Sequence, residues 1–161
     1  MDASSTQMPP RLALVGAPNC GKTALFNALT GSRQKVGNYA GVTVERKVGT
    51  ARTPEGRILS LIDLPGPYSL RACSPDEEVT RDIVLGQHPR EMPPDLILVV
   101  VDATNMRSAL RLVSELREVG RPILVVLNIT ATAVRRAGLA DLLARLDSLI
   151  AAGLPTAREN L

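Results

Sequence analysis

The chain has 161 residues, a formal net charge of +3, and 45% hydrophobic against 22% charged residues, enough for one compact domain with a sizeable core and too apolar for global disorder. Two Tyr, one Phe and no Trp leave an aliphatic core and argue against a base-stacking nucleic-acid surface, and the Lys and Arg residues are spread along the chain rather than clustered. Two cysteines, Cys20 and Cys73, and a single histidine, His88, make neither a zinc site nor a disulfide scaffold, and they fit a reducing compartment.

Residues 1–10 are polar and Pro-rich, with no basic segment leading into an apolar run. They read as a flexible tail and not as a signal peptide. Arg11–Val15 reads as a strand that runs straight into a Gly-containing turn, and Thr23–Leu29 reads as a helix. Residues 44–52 and 57–62 read as two strands joined by the turn Thr53-Pro54-Glu55-Gly56. Ser74-Pro75-Asp76-Glu77 is a helix start: Ser74 caps, Pro75 suits the first helical position, and Glu77 completes a capping box. The longest apolar runs, Leu96–Val101 and Ile123–Leu127, fall far short of the ~20 residues of a membrane helix and read as strands. Between them, Ala109, Leu112, Val113, Leu116 and Val119 form one apolar helical face, which Gly120 ends. Leu139, Leu142, Leu143, Leu146 and Ile150 mark a last helix. Alternating strands and helices predict an α/β fold, a mostly parallel sheet with helices on both faces. Ligands of such sheets bind outside the carboxyl ends of the strands.

Gly16-Ala17-Pro18-Asn19-Cys20-Gly21-Lys22-Thr23 matches the phosphate-binding pattern GxxxxGK[ST], placed after a strand and at the start of a helix. There the backbone N–H groups can curl around phosphate oxygens, aided by the partial positive charge of the helix N-terminus. Lys22 would reach the β- and γ-phosphates, and Thr23 would place a hydroxyl on Mg²⁺. Cys20 is expected to be a small filler of the loop, with a reactive thiol as the alternative. Asp63-Leu64-Pro65-Gly66 follows the strand ending at Ile62, about 40 residues beyond Lys22. It resembles the DxxG element of GTPases, in which the Asp holds Mg²⁺ through water and the Gly N–H senses the γ-phosphate. Thr43, after Gly41 and Val42, can close over Mg²⁺ and the γ-phosphate in the triphosphate state. Lys22, Thr43 and Gly66 are the expected catalytic positions. Thr23, Thr43 and Asp63 are the expected Mg²⁺ positions.

Longer words narrow the reading. Gly31 to Lys47, containing Asn38-Tyr39-Ala40-Gly41-Val42-Thr43, strongly resembles switch I of FeoB-type GTPases, the cytosolic G domains of bacterial ferrous iron transport protein B. Asp63 to Leu70 resembles switch II of that family, Ser74 to Val79 its next helix, and Val101-Asp102-Ala103-Thr104-Asn105 its strand end before the third helix. The resemblance covers about residues 11–128. It implies a Ras-like P-loop fold, GTP and GDP as ligands, Mg²⁺ as cofactor, slow hydrolysis, and activation by K⁺ coordinated through Asn19. It also implies a membrane iron-transport domain or protein as partner and a place in the cytoplasm, at the inner face of the plasma membrane. No nucleic acid is expected, and no metal-transport site is evident in this chain. Pro67 stands where Ras-type enzymes carry a water-orienting Gln, so a low rate is expected.

The sequence also departs from the family. The guanine-reading element NxxD appears as Asn128-Ile129-Thr130-Ala131. Asn128 is in place, but Ala131 stands where the Asp would accept hydrogen bonds from the base. Each such bond is worth roughly 1.5–3 kcal/mol. Asp141 is a distant substitute. Thr156-Ala157 could be a remnant of the loop that backs the base, and the G domain reads as incomplete after about residue 128, with a final strand and helix missing. That would leave 123–127 as an exposed apolar edge. Two other functions compete: a nucleotide-binding pseudo-GTPase without useful turnover, and a ribosome- or tRNA-associated GTPase of the same superfamily. The second of these usually carries an RNA-binding domain or basic patch.

Overall fold

In a computed structural model, residues 8–31, 33–67, 69–71, 74–128 and 136–153 are described. Six strands and four helices alternate along the chain: β1 (Arg11–Val15), α1 (Lys22–Thr30), β2 (Gln34–Asn38), β3 (Glu45–Arg52), β4 (Ile58–Asp63), α2 (Pro75–Leu85), β5 (Leu96–Asp102), α3 (Met106–Glu118), β6 (Ile123–Asn128) and α4 (Arg136–Ala151). The strands form one sheet in the order β2-β3-β4-β1-β5-β6. β1 pairs in parallel with β4 and β5, and β5 with β6, while β2–β3 and β3–β4 are antiparallel.

The central strands are buried on both faces, which is why they read as unbroken apolar runs. Side chains alternate across the sheet. Ala13, Val15, Ile62, Ile97, Val99 and Val101 face α2 and α3, where they meet Val79, Ile83, Leu112 and Leu116. Leu12, Leu14, Leu61, Leu96, Leu98 and Val100 face α1 and α4, where they meet Phe26, Leu29 and Leu146. The expected layers on both faces are therefore present. Burial of one such Leu or Val contributes about 1.5–3 kcal/mol. α2 starts as its residues dictate: the Ser74 hydroxyl accepts from the Glu77 N–H at 3.3 Å, and Pro75 opens the helix.

Two features were not legible beforehand. β2 lies inside the stretch recognised only by its family resemblance, and all five of its residues are exposed. It has no hydrophobic alternation to reveal it and is held through its register with β3, Gln34 opposite Gly49 to Asn38 opposite Glu45. The second feature is the seat of α4. It lies on the α1 face, where Arg57 Nε, from the β3–β4 turn, donates to Asp147 Oδ1 at 3.0 Å. The opposite face of β6 stays open: Val125 is 44% and Leu127 60% exposed. Among the described residues no strand pairs with the outer edge of β6. Residues 1–7, Tyr68, Cys73, Ala131 and Thr156-Ala157 lie outside the described residues.

Candidate functional site

The site is assembled where β1, β4, β5 and β6 end. Residues 16–21 link the buried strand β1 to α1. The turn needs left-handed backbone at two places: Gly21 has φ of 92°, and Asn19, at 64°, is the one non-Gly residue with positive φ among the described residues. Asn tolerates that conformation better than most side chains, and Gly tolerates it freely. α1 begins at Lys22, and the Leu25 N–H donates to the Gly21 carbonyl at 3.1 Å.

Lys22 Nζ forms an ion pair with Asp63 Oδ1 across the parallel β1–β4 pair. Their side chains are only 11% and 7% exposed, so the two charges are mutually compensating in a partly desolvated place. The chain leaving Asp63 is tied down at once, by the Leu64 N–H donating to the Leu14 carbonyl at 3.1 Å and the Thr80 hydroxyl donating to the Pro65 carbonyl at 2.8 Å. Gly66 then presses on the phosphate-type loop. A Cβ there would lie 2.8 Å from the Gly16 carbonyl oxygen and 3.1 Å from the Pro18 nitrogen, so only glycine permits this approach.

Asn128, at the end of β6, donates from Nδ2 to the Cys20 carbonyl at 3.1 Å. Its amide thus joins the last strand to the loop, a tie that the base-reading expectation for this residue did not anticipate. Cys20 itself is 3% exposed and packs in the apolar cluster with Leu14 and Phe26. Burial pushes its thiol up from the ordinary value, the opposite of what activates a cysteine, which supports the filler reading. A cavity of about 90 Å³ lies beside the loop, lined by Ala17, Pro18, Cys20, Pro67, Asp102 and Leu112 among others.

Ala17, Pro18, Lys22, Thr23, Asp63, Leu64, Pro65, Gly66 and Asn128 therefore cluster around or adjoin one loop. Gly41, Val42 and Thr43 do not join them: they line a separate open groove with Asn38, Tyr39 and Pro75. Tyr39 explains this placement. It is 2% exposed, its N–H donates to the Val44 carbonyl at 3.0 Å, and its ring lies 5.8 Å from that of His88. Beside it, Glu91 pairs with both Arg11 and Arg46. Burial, then the nearby Glu91 charge, drives the Tyr39 phenol well above its usual value. The Tyr39 anchor escaped sequence reading because a lone Tyr in a loop has no periodicity to mark it as core.

Two further carboxylates hold loops near the site. Asp102 accepts from the Thr104 N–H at 2.8 Å and its hydroxyl at 2.6 Å, which holds its carboxyl below the ordinary value. Glu115 on α3 accepts from Ser69 and Leu70, immediately beyond the Gly66 loop. Its i,i+4 pairing with Arg111 is that of an ordinary surface pair on a helix. Among the described residues no group of three or more His, Cys, Asp or Glu side chains could hold a metal ion, and no helix is long and apolar enough to cross a membrane.

The family model for ferrous iron transport protein B matches residues 10–151. An Fe(2+) transport protein A/Fe(2+) transporter FeoB fusion protein of Porphyromonas gingivalis is 47% identical over 118 residues, 73% of this chain and 13% of the relative. The Fe(2+) transporter FeoB of Escherichia coli K12 is 47% identical over 121 residues, 73% of this chain and 15% of the relative. The chain thus spans about one seventh of the length of these transporters. The crystal structure of the G domain of the T. maritima FeoB iron transporter superposes with a TM-score of 0.67 at 40% identity, covering 84% of this chain and 82% of that one. A GDP-bound variant of the S. thermophilus FeoB G-domain gives a TM-score of 0.66 at 48% identity, covering 74% and 44%. The six-stranded sheet, the phosphate-type loop and these matches agree, and the chain belongs to the ferrous iron transport protein B family as part of its G domain.

Proposed function

We propose that the chain is a GTP-binding switch domain that hydrolyses GTP slowly to GDP and phosphate and serves ferrous iron transport as part of a larger membrane protein. The observation that carries this reading is the convergence of Lys22, Asp63 and Gly66 on one loop, from segments 41 residues apart in sequence. A lysine, a carboxylate and a close-packed glycine at a helix N-terminus are the parts that phosphate recognition requires. The match to G domains, one of them GDP-bound, supports guanine as the base.

Mg²⁺ is the cofactor of this reading. The donor set offered by Thr23, Thr43 and Asp63 is hard oxygen, which suits that ion. Asp63 is 8% exposed and already faces a cation, the Lys22 ammonium, so its place in the fold accommodates positive charge beside it. When bound, Mg²⁺ neutralises charge on the β- and γ-phosphate oxygens. Lys22 exchanges Asp63 for phosphate, Gly66 offers its N–H, and Thr43 must leave the Tyr39-anchored groove to arrive. Asn19, exposed and in left-handed backbone, is the proposed K⁺ ligand. Pro67 has no donor with which to orient water, so turnover is slow. The cytoplasmic face of the membrane is the proposed place of action, reached through the rest of the transporter.

The test is a titration of the purified chain with fluorescent GDP, GTP and ADP analogues, with Mg²⁺, in K⁺ and in Na⁺. Guanine preference and faster phosphate release in K⁺ are expected. Equal weak binding of all three would overturn the guanine reading. Ala131, in place of the base-reading Asp, favours one other outcome, a nucleotide-binding pseudo-GTPase. Binding without phosphate release would establish it.

A further inference from the structure

The segment after Gly66 returns to the body of the domain at Glu115, on α3. The Glu115 carboxylate accepts from the Ser69 hydroxyl at 3.0 and 2.9 Å and from the Leu70 N–H at 2.6 Å. The Leu70 side chain packs against the core cluster that contains Leu112 and Leu116 of the same helix. Arg111, one turn earlier, donates to Glu115 at 3.4 Å and is 64% exposed, so that pair contributes little. The carboxylate's short bonds go to the loop rather than along its own helix. Burial opposes its charge, but the Leu70 N–H, the Ser69 hydroxyl and Arg111 together hold it below the ordinary carboxylate value. It is a charged acceptor at neutral pH, and its bonds to the loop are charge-assisted.

The loop is thus held at three points. Leu64 is tied to β1, Pro65 is tied to α2 through Thr80, and Ser69-Leu70 is tied to α3 through Glu115. Gly66 lies between the second and third ties, in backbone contact with the phosphate-type loop. We propose that Glu115 is a positioning residue: by holding Ser69 and Leu70 on α3, it keeps Gly66 seated against residues 16–18 and so sets the preference for a nucleoside triphosphate over a diphosphate. The inference rests on the nucleotide reading above. A diphosphate has no γ-phosphate to meet the Gly66 N–H, so its affinity does not depend on the tie. A triphosphate's affinity does.

Glu115→Gln keeps the shape and removes the charge, and Ser69→Ala removes one donor while leaving Glu115 in place. The experiment titrates wild type and both variants with fluorescent GDP and a non-hydrolysable GTP analogue. It also follows amide exchange over residues 69–71 and thermal unfolding. For Glu115→Gln, triphosphate affinity should fall by roughly three- to tenfold with GDP affinity unchanged, because the amide oxygen still accepts but without the charge that strengthens the bonds. Exchange at Leu70 should accelerate, and Ser69→Ala should move both readouts the same way by less. An unchanged GDP-to-GTP ratio in a folded variant overturns the proposal. So does equal weakening of both nucleotides, which marks a purely structural role. A wild-type chain that binds neither nucleotide refutes the nucleotide reading and the proposal with it, whereas a failed ratio beside normal wild-type binding refutes the positioning role alone.

Discussion

Gly66→Ala tests the assembly of the site at its tightest point. The added methyl would stand 2.8 Å from the Gly16 carbonyl oxygen, 3.1 Å from the Pro18 nitrogen and 3.4 Å from the Ala17 carbonyl carbon. All three are backbone atoms of a loop stitched between β1 and α1, so they cannot yield as the end of a flexible side chain would. Restoring ordinary contact with Gly16 moves the Gly66 segment out by about 0.6 Å, the gap between 2.8 and 3.4 Å. A hydrogen bond of ~2.9 Å from its N–H to a phosphate oxygen then stretches to ~3.5 Å, past the useful range. Losing a charge-assisted bond costs about 1.5–3 kcal/mol, or ~10- to 100-fold in affinity. The fold should be nearly indifferent. Gly66 does not lie at positive φ, and the entropy that Ala removes from the unfolded chain, ~0.4–1 kcal/mol, offsets part of the local push. The assay is parallel titration with GDP and a GTP analogue beside a melting curve. Selective loss of the triphosphate with only a small fall in melting temperature is the expected result. Equal affinity for both ligands in wild type and variant would refute the argument that Gly66 meets the terminal phosphate.

Other residues give independent checks. Glu91→Gln should destabilise the fold at pH 7 by about 1–3 kcal/mol, because Arg11 and Arg46 lose a buried carboxylate partner. Burial opposes the Glu91 charge, but bonds from Arg46 and Arg11 hold its carboxyl below the ordinary 4.5. Its contribution is therefore complete above that value and is lost as pH falls through the lower folded value. Urea unfolding at pH 7 and in the acid range should show the difference from wild type shrinking only in acid, and a pH-independent difference would contradict this. Asn128→Ala removes the donor to the Cys20 carbonyl and should weaken GDP and GTP analogues by similar factors, through the loop they share. If base discrimination alone changed, the structural tie would be of no consequence. Leu127→Lys places a charge on the exposed face of β6 and should slow self-association in light scattering, with stability changed by less than ~0.5 kcal/mol. Unaltered aggregation would exclude β6 as the route.

Much of the molecule was legible in its residues. Five of the six strands fall within a residue of their expected spans: β1 and β5 announced themselves as apolar runs because two-sided burial demands continuous Val, Leu and Ile, and β3 and β4 were marked by the turn between them. GxxxxGK[ST] and DxxG were readable because each requires particular residues at fixed spacing. β2 was not readable, since an exposed edge strand is specified by its partner's hydrogen bonds rather than by its own side chains. The Glu115 tie and the Tyr39 anchor stayed hidden for a related reason. Each joins segments dozens of residues apart through a single side chain, and neither has a local period.

The sequence by itself determined the fold class, the loop that can hold phosphate, the DxxG segment and the family resemblance, because these depend on local geometry and on short words in order. It could not determine which groups meet. Tertiary structure decided that Lys22 faces Asp63, that Asn128 braces the Cys20 carbonyl, and that Tyr39 draws Thr43 into a groove of its own. It also decided that α4 covers the α1 face and leaves Val125 and Leu127 exposed. The physical reason is common to all of these. A turn or a buried strand is selected by interactions within a few residues, whereas a long-range contact is selected by how packed layers align, and no single stretch of chain encodes that alignment.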